Sequence, residues 1–288
     1  MLKKTNVIAI GISLMFAQLS HAQASSLDDF TLRLAKTADN KDAEKPAILG
    51  YQRNDGGVSN YMTEGALKAD YDFGQGNSAT FTPSAAWNHN TLSTTSTNNW
   101  SYGLGLTDRS IVTKSGDALV YSGSLSQQRD MTKDSNASIV KAGATWYGWP
   151  EWKKEGAPDY AAIRPTITLF TKHVYSAQAD KTTGVTPTGT MSGVVVSLDA
   201  AAVFGRWSIA ASAQALQPSQ VVAGDTKYTH RLSVASVTYQ FVDPPLTGAQ
   251  QKATGWVPGV SLIRQVGDDP LNAVNRAGYT QLVLTIQY

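Results

Sequence analysis

His230 is the residue of this 288-residue chain with the strongest case for catalysis, because two acids accompany it in the predicted fold. It opens a predicted strand near 228–242, and Asp268 and Asp269 lie in the loop after the next predicted strand, 255–264. An imidazole beside a carboxylate can take a proton from water, the step that starts hydrolysis of an ester or a peptide bond. The alternative is an ordinary polar contact at a strand end. Cysteine nucleophiles are excluded, because the chain has no cysteine.

Six other charged residues fall on the polar faces of predicted strands. They are Lys68, Asp70, Asp72, Lys141, Lys172 and Asp199. Lysines that face an acidic wall would create a transverse field, which selects ions in a pore. The alternative is that these charges only satisfy one another.

The sequence gives little sign of a metal or a cofactor. The two acids of the segment from Asp130 to Asn136 could bind calcium weakly, but their spacing is not that of an EF-hand loop. No phosphate-binding glycine motif is present, so we expect no cofactor.

The N-terminus has the pattern of a secretory signal peptide over residues 1–24. Lys3 and Lys4 precede an apolar run from Val7 to Leu19, and small residues flank Gln23 at a cleavage position. The run is shorter than the roughly 20 residues that a transmembrane helix needs. After cleavage the acidic and basic side chains balance at 22 each. A neutral surface argues against nucleic acid as a partner.

Alternation of apolar and polar residues recurs along 47–288 and predicts one β domain. The longest apolar face combines Val194, Val196, Leu198, Ala200, Ala202 and Phe204. We predict twelve strands, near 47–54, 64–74, 78–88, 100–111, 117–128, 137–147, 163–176, 190–204, 206–216, 228–242, 255–264 and 277–288. Polar loops near 89–99, 129–136, 177–189, 217–227 and 265–276 alternate with shorter turns, but the connections Gly148–Ala162 and Asp243–Thr254 are long. Each is predicted to be either an ordered excursion or a miscounted pair of strands.

The last strand adds a resemblance. Leu282, Leu284, Ile286 and Tyr288 share one face, with only Val283 out of step on the other, and the chain stops on an aromatic residue. This pattern resembles the closing strand of bacterial outer-membrane β-barrels, where it is the assembly signal. The resemblance implies an all-β, transmembrane, antiparallel up-and-down barrel of about twelve strands, with its apolar face toward lipid. It also implies the barrel-assembly machinery and outer-membrane lipid as partners. Aromatic residues at both ends of the predicted strands fit two interfacial girdles.

The predicted lumen is lined by small polar residues, which leave room for water. Eight strands already enclose enough space for side chains to fill, so twelve strands lined by Ser, Thr, Gly and Ala predict a passage. We therefore expect a channel for passive movement of small solutes. There are two alternatives. One is a lipid or peptide hydrolase with its active site at His230 on the rim. The other is a barrel that does not conduct and serves as a surface receptor or in adhesion.

Residues 25–46 precede the barrel and differ from it in pattern. Leu27, Phe30, Leu34 and Ala35 have helical spacing after a candidate cap at Ser26. A short amphipathic helix is predicted here. The segment is expected to lie against the periplasmic rim, to stay disordered or to plug the lumen.

Overall fold

The protein is built from β-strands throughout its described part. The computed structural model describes residues 30–35, 47–53, 59–73, 79–91, 97–112, 118–147, 149–153, 160–179, 184–242, 257–271 and 274–287. The strands are β1 (Phe30–Ala35), β2 (Ala47–Arg53), β3 (Ser59–Phe73), β4 (Ala79–Asn90), β5 (Thr97–Val112), β6 (Ala118–Asp130), β7 (Ser135–Tyr147), β8 (Trp149–Lys153), β9 (Tyr160–Ser176), β10 (Gly189–Phe204), β11 (Trp207–Gln220), β12 (His230–Gln240), β13 (Val257–Asp269) and β14 (Val274–Gln287). Within these residues there is no helix that could serve as a membrane span.

A strand is present at each of the twelve predicted positions, so the all-β prediction is confirmed. The observed strands often extend beyond the apolar alternation that marked them. β13, for example, continues to Asp269 and β14 begins at Val274, so both strands extend into the loop predicted over 265–276. Backbone pairing can carry a hairpin past the point where its side chains cease to alternate, because the ladder does not depend on side-chain type.

The predicted N-terminal helix is wrong where the structure describes it. Phe30–Ala35 is a strand that pairs antiparallel with β3, from Phe30 opposite Tyr71 to Ala35 opposite Ala66. The free edge of β3 offers a run of backbone partners, and such tertiary pairing overrides a weak helical preference. The rest of segment 25–46, the predicted signal peptide and Tyr288 lie outside the described residues.

β8 resolves one of the two long connections. Trp149–Lys153 pairs with β9, so the connection Gly148–Ala162 contains an ordered excursion. It lies off the main path of the sheet. The connection Asp243–Thr254 lies outside the described residues.

All fourteen strands belong to one sheet with antiparallel, up-and-down order. From β3 to β14 each strand pairs with the next along the chain, apart from β8, and β7 pairs directly with β9. The other edge of β3 is shared, with β2 along Ser59–Glu64 and β1 along Ala66–Tyr71. β2 also pairs with β14, through Ala47–Gly50 and Val283–Ile286.

The two faces of the sheet are inverted relative to those of a water-soluble protein. The apolar face is exposed: the exposed fraction is 67% for Tyr102 and 63% for Leu282. The polar face is buried, with Ser261 at 1% and Thr285 at 3%. Val283, the residue out of step in the last strand, packs on this polar face with Ile263 and Val234.

Candidate functional site: a turn bound across the polar face

The predicted charged residues of β3 lie on the polar face and are bound to neighbours there. Lys68 and Asp70 are buried. The Thr82 hydroxyl donates to Asp70 Oδ1 at 2.7 Å, and the Thr80 hydroxyl donates to Asp72 Oδ1 at 2.6 Å. These threonines come from β4, so the acidic wall of β3 is part of the sheet's own hydrogen bonding.

The other predicted charges are spread over β7, β9 and β10. Asp199 lies directly opposite Arg164 in the β9–β10 ladder, and the Arg164 guanidinium lies 4.9 Å from the centre of the Tyr147 ring. Arg164 thus adds a positive charge that the sequence analysis missed. Lys141 lines a cavity, and Lys172 contacts the turn described next.

A bulge bends the end of β13. Pairing with β14 shifts register between Gly267 and Asp269, and Gly267 has a φ of +113°. A Cβ at this position would lie 1.9 Å from the Arg231 carbonyl oxygen, so only glycine fits. Bulges bend the strand that carries them. Asp268, Asp269 and the turn that follows therefore leave the line of the strand.

The turn after this bulge is held by side chains from three distant strands. We call residues Asp269–Leu271 the crossing turn. Gln214 of β11 donates to Asp269 Oδ2 at 2.8 Å, and Asp269 Oδ1 accepts from the Leu271 amide at 2.9 Å. Lys172 of β9 donates to the Pro270 carbonyl at 2.8 Å.

Gln128 of β6 makes the most distant contact to the crossing turn. Its amide donates to the Leu271 carbonyl at 2.9 Å, and its Oε1 accepts from Lys172 Nζ at 2.6 Å. Six inter-strand steps separate β13 from β6 in the sheet. In a flat sheet six steps would place the strands about 29 Å apart. The contact therefore requires a strongly curved sheet with its polar face on the concave side.

An apolar cluster lies beneath the crossing turn on the same face. It consists of Ala137, Phe170, Val174, Met191, Val195, Leu216, Val222 and Leu271. Leu271 belongs to the crossing turn and Val222 to the β11–β12 connection, so two connections turn inward and bury an apolar side chain each. The sequence analysis expected small polar residues at this level and missed the cluster.

A cavity of about 100 Å³ lies along β3–β7, lined by polar and apolar residues in similar proportion, and Gln128 belongs to its lining. Its polar lining comprises Glu64, Ser84, Asn88, Asn99, Ser101, Ser124, Ser126, Gln128 and Lys141. Gln128 thus lines the cavity and also binds the turn.

The predicted His–carboxylate pair forms, but with one of the two acids. His230 Nδ1 lies 2.6 Å from Asp268 Oδ2, and the Tyr228 hydroxyl donates to the same oxygen at 2.9 Å. Asp269 instead belongs to the crossing turn. A carboxylate at Nδ1 fixes the orientation of an imidazole and leaves Nε2 as the reactive nitrogen.

Asp268 lies beyond Val266, the last exposed apolar residue of β13. Its burial favours the neutral carboxyl group, but the hydrogen bonds from His230 and Tyr228 and the charge of His230 outweigh this effect. The pKa of Asp268 therefore lies below its ordinary value of 3.8.

The two acids that could bind calcium weakly, Asp130 and Asp134, make contacts within the chain. Asp130 Oδ1 accepts hydrogen bonds from the amides of Thr132 and Lys133, at 2.9 and 3.1 Å, and so closes the turn between β6 and β7. Asp134 lies 3.7 Å from Arg129. In the part of the chain that the structure describes, no group of three His, Asp or Glu side chains could hold a metal ion.

Comparison with known proteins adds no family to this picture. The sequence matches no protein-family model and no curated protein.

Proposed function

We propose that the protein is a twelve-stranded β-barrel of the bacterial outer membrane that lets small polar solutes pass through its interior. The observation that carries this proposal is the inversion of the two faces, with exposed apolar side chains and buried polar ones. A sheet with an apolar exterior is stable in lipid, and a barrel leaves no unpaired edge there.

Closure of the sheet is supported by its pairings. The last strand, β14, pairs with β2, and β2 pairs with β3, so the C-terminal hairpin lies next to the N-terminal strands. β1 covers the part of β3 that β2 does not reach. The contact between Gln128 and Leu271 supports closure independently, because it joins strands half a ring apart.

The membrane location is supported by aromatic residues at both ends of the exposed apolar face. Trp207 and Tyr239 lie 4.9 Å apart by ring centres near one end, and Trp87 and Trp100 lie 6.3 Å apart near the other. Rings of this kind are favoured where hydrocarbon meets water. The predicted signal peptide and closing strand are in keeping with export and with insertion by the barrel-assembly machinery.

Conductance across a planar lipid bilayer tests the passage. We expect the refolded chain to conduct small ions, because serine hydroxyl groups and other polar side chains line part of a cavity along β3–β7. A second form without residues 25–46 shows whether that segment obstructs flow, since conductance restricted to the truncated form would identify it as a plug. Silence of both forms, and of Gln128→Ala combined with Lys172→Met, would refute the passage.

A hydrolase at the strand ends is the second candidate, favoured by the His230–Asp268 pair. The carboxylate would hold His230 with Nε2 positioned to take a proton from water or from a hydroxyl group. Hydrolysis of a phospholipid or a peptide by the purified protein, lost in His230→Ala and retained in His173→Ala, would establish this activity. No turnover by the wild type would leave the pair with a structural role only.

A further inference from the structure

We propose that the crossing turn, Asp269–Leu271, is a gate in the passage and that Gln128, Lys172 and Gln214 are the latch that holds it shut. The gate regulates the proposed channel and so rests on that function.

The position of the crossing turn makes it an obstruction. It starts from β13, and its contacts reach β11, β9 and β6 in succession. In a twelve-strand ring β6 lies opposite β13, so these contacts extend from one wall to the other.

The composition of the latch suits a reversible closure. Two of its contacts end on backbone carbonyls of the turn, those of Pro270 and Leu271, and the third ends on the Asp269 carboxylate. Water can take the place of each of these three partners when the turn moves away. Leu271 is the single apolar side chain that the crossing turn contributes to the cluster beneath.

The attachment of the turn gives it a place to pivot. The bulge at Gly267 breaks the register of the β13–β14 hairpin, and a single pair, Asp269 with Val274, resumes the ladder at the base of the crossing turn. β13 is firmly paired on both sides up to this point. Motion can therefore be confined to the tip of the hairpin while the wall remains intact.

Single-channel recording of latch variants tests the gate. In Gln128→Ala and in Lys172→Met we expect the open fraction to rise about fivefold or more, the change that loss of one hydrogen bond implies. Gln127→Ala is the matched control, because Gln127 is the next residue of β6 and its side chain donates to Ser138 instead. Its open fraction should equal that of the wild type.

The possible failures are distinguishable. Equal open fractions in the wild type and both latch variants would overturn the gate and leave the passage in place. A similar rise in Gln127→Ala would overturn it too, because the effect would then be unspecific. Absence of current in every form, including Gln128→Ala combined with Lys172→Met, would refute the passage and the gate together.

A cleavable cross-link gives a second measurement that does not depend on weakening the fold. The chain has no cysteine, so Gln128→Cys with Leu271→Cys can be joined by a short bis-thiosulfonate without side reactions. We expect closure while the link is intact and full recovery of openings after reduction. The pair Gln127→Cys with Leu271→Cys should not cross-link, because Gln127 lies on the other face. Current that continues unchanged through the linked protein would overturn the gate.

Discussion

At the scale of single residues, the polar face is stabilised by pairs of hydroxyl groups that satisfy each other across neighbouring strands. Thr145 and Thr166 are direct partners in the β7–β9 ladder, and their hydroxyl oxygens lie 2.9 Å apart. Thr238 and Ser261 repeat the arrangement between β12 and β13 at 2.5 Å. Both pairs are buried, so each hydroxyl depends on its partner.

This dependence predicts a specific mutational pattern. Thr145→Val or Thr166→Val alone should lower the free energy of unfolding by about 1–3 kcal/mol, because each leaves a buried hydroxyl without its partner. The double variant should cost less than the sum of the two, since both hydroxyls are then gone. Urea unfolding in lipid vesicles measures the cycle. Additive losses would mean that water already satisfies these groups.

Asp268 gives a prediction about pH. Its pKa is lowered in the folded state, so its charge stabilises the fold above the ordinary pKa of 3.8. This contribution is lost as the pH falls through the lower, folded pKa. Asp268→Asn should therefore be less stable than the wild type at pH 7, and the difference should disappear in acid. Asp134→Asn is the control, because its ion pair with Arg129 is exposed and should contribute little. A difference independent of pH would contradict the assignment.

At the scale of elements, local alternation was enough to predict the strands of the β domain other than β8. Leu67 and Leu198, for example, fall on the exposed face as their strands' patterns require. The same rule failed for Phe30–Ala35, where apolar residues three and four apart indicate a helix but a free strand edge decides the structure. The crossing turn could not be predicted either. Gln128 and Leu271 are 143 positions apart, and only the curvature of the whole sheet brings them together.

The strand assignment of β1 can be tested with proline. Proline removes a ladder hydrogen bond, and alternate residues of an edge strand point their amides at the neighbour. One of Leu32→Pro and Arg33→Pro should therefore lower the unfolding midpoint clearly more than the other. If residues 30–35 formed an isolated helix, both substitutions would break it to a similar degree.

At the scale of the whole molecule, a charged substitution on the exposed apolar face should have different effects on stability in lipid and in water. Leu198 is 47% exposed in the middle of the longest apolar run. In a bilayer Leu198→Lys should cost roughly 2–4 kcal/mol of unfolding free energy. In water the same change would be nearly neutral. Gln220→Lys, at the exposed end of β11, is the matched control and should have little effect. Unfolding in vesicles measures both, and a neutral Leu198→Lys would contradict the proposed membrane location.

The ladder between β14 and β2 has a consequence for folding kinetics. Most neighbouring strands from β3 to β14 are close in the sequence, whereas this ladder of four residue pairs joins Ala47–Gly50 to Val283–Ile286. The entropy of closing so long a segment delays its formation until the hairpins are in place. Contacts that form after the rate-limiting step affect the unfolding rate more than the folding rate. The lifetime of the folded protein therefore depends on the side chains around this joint, where Leu49 faces Leu284.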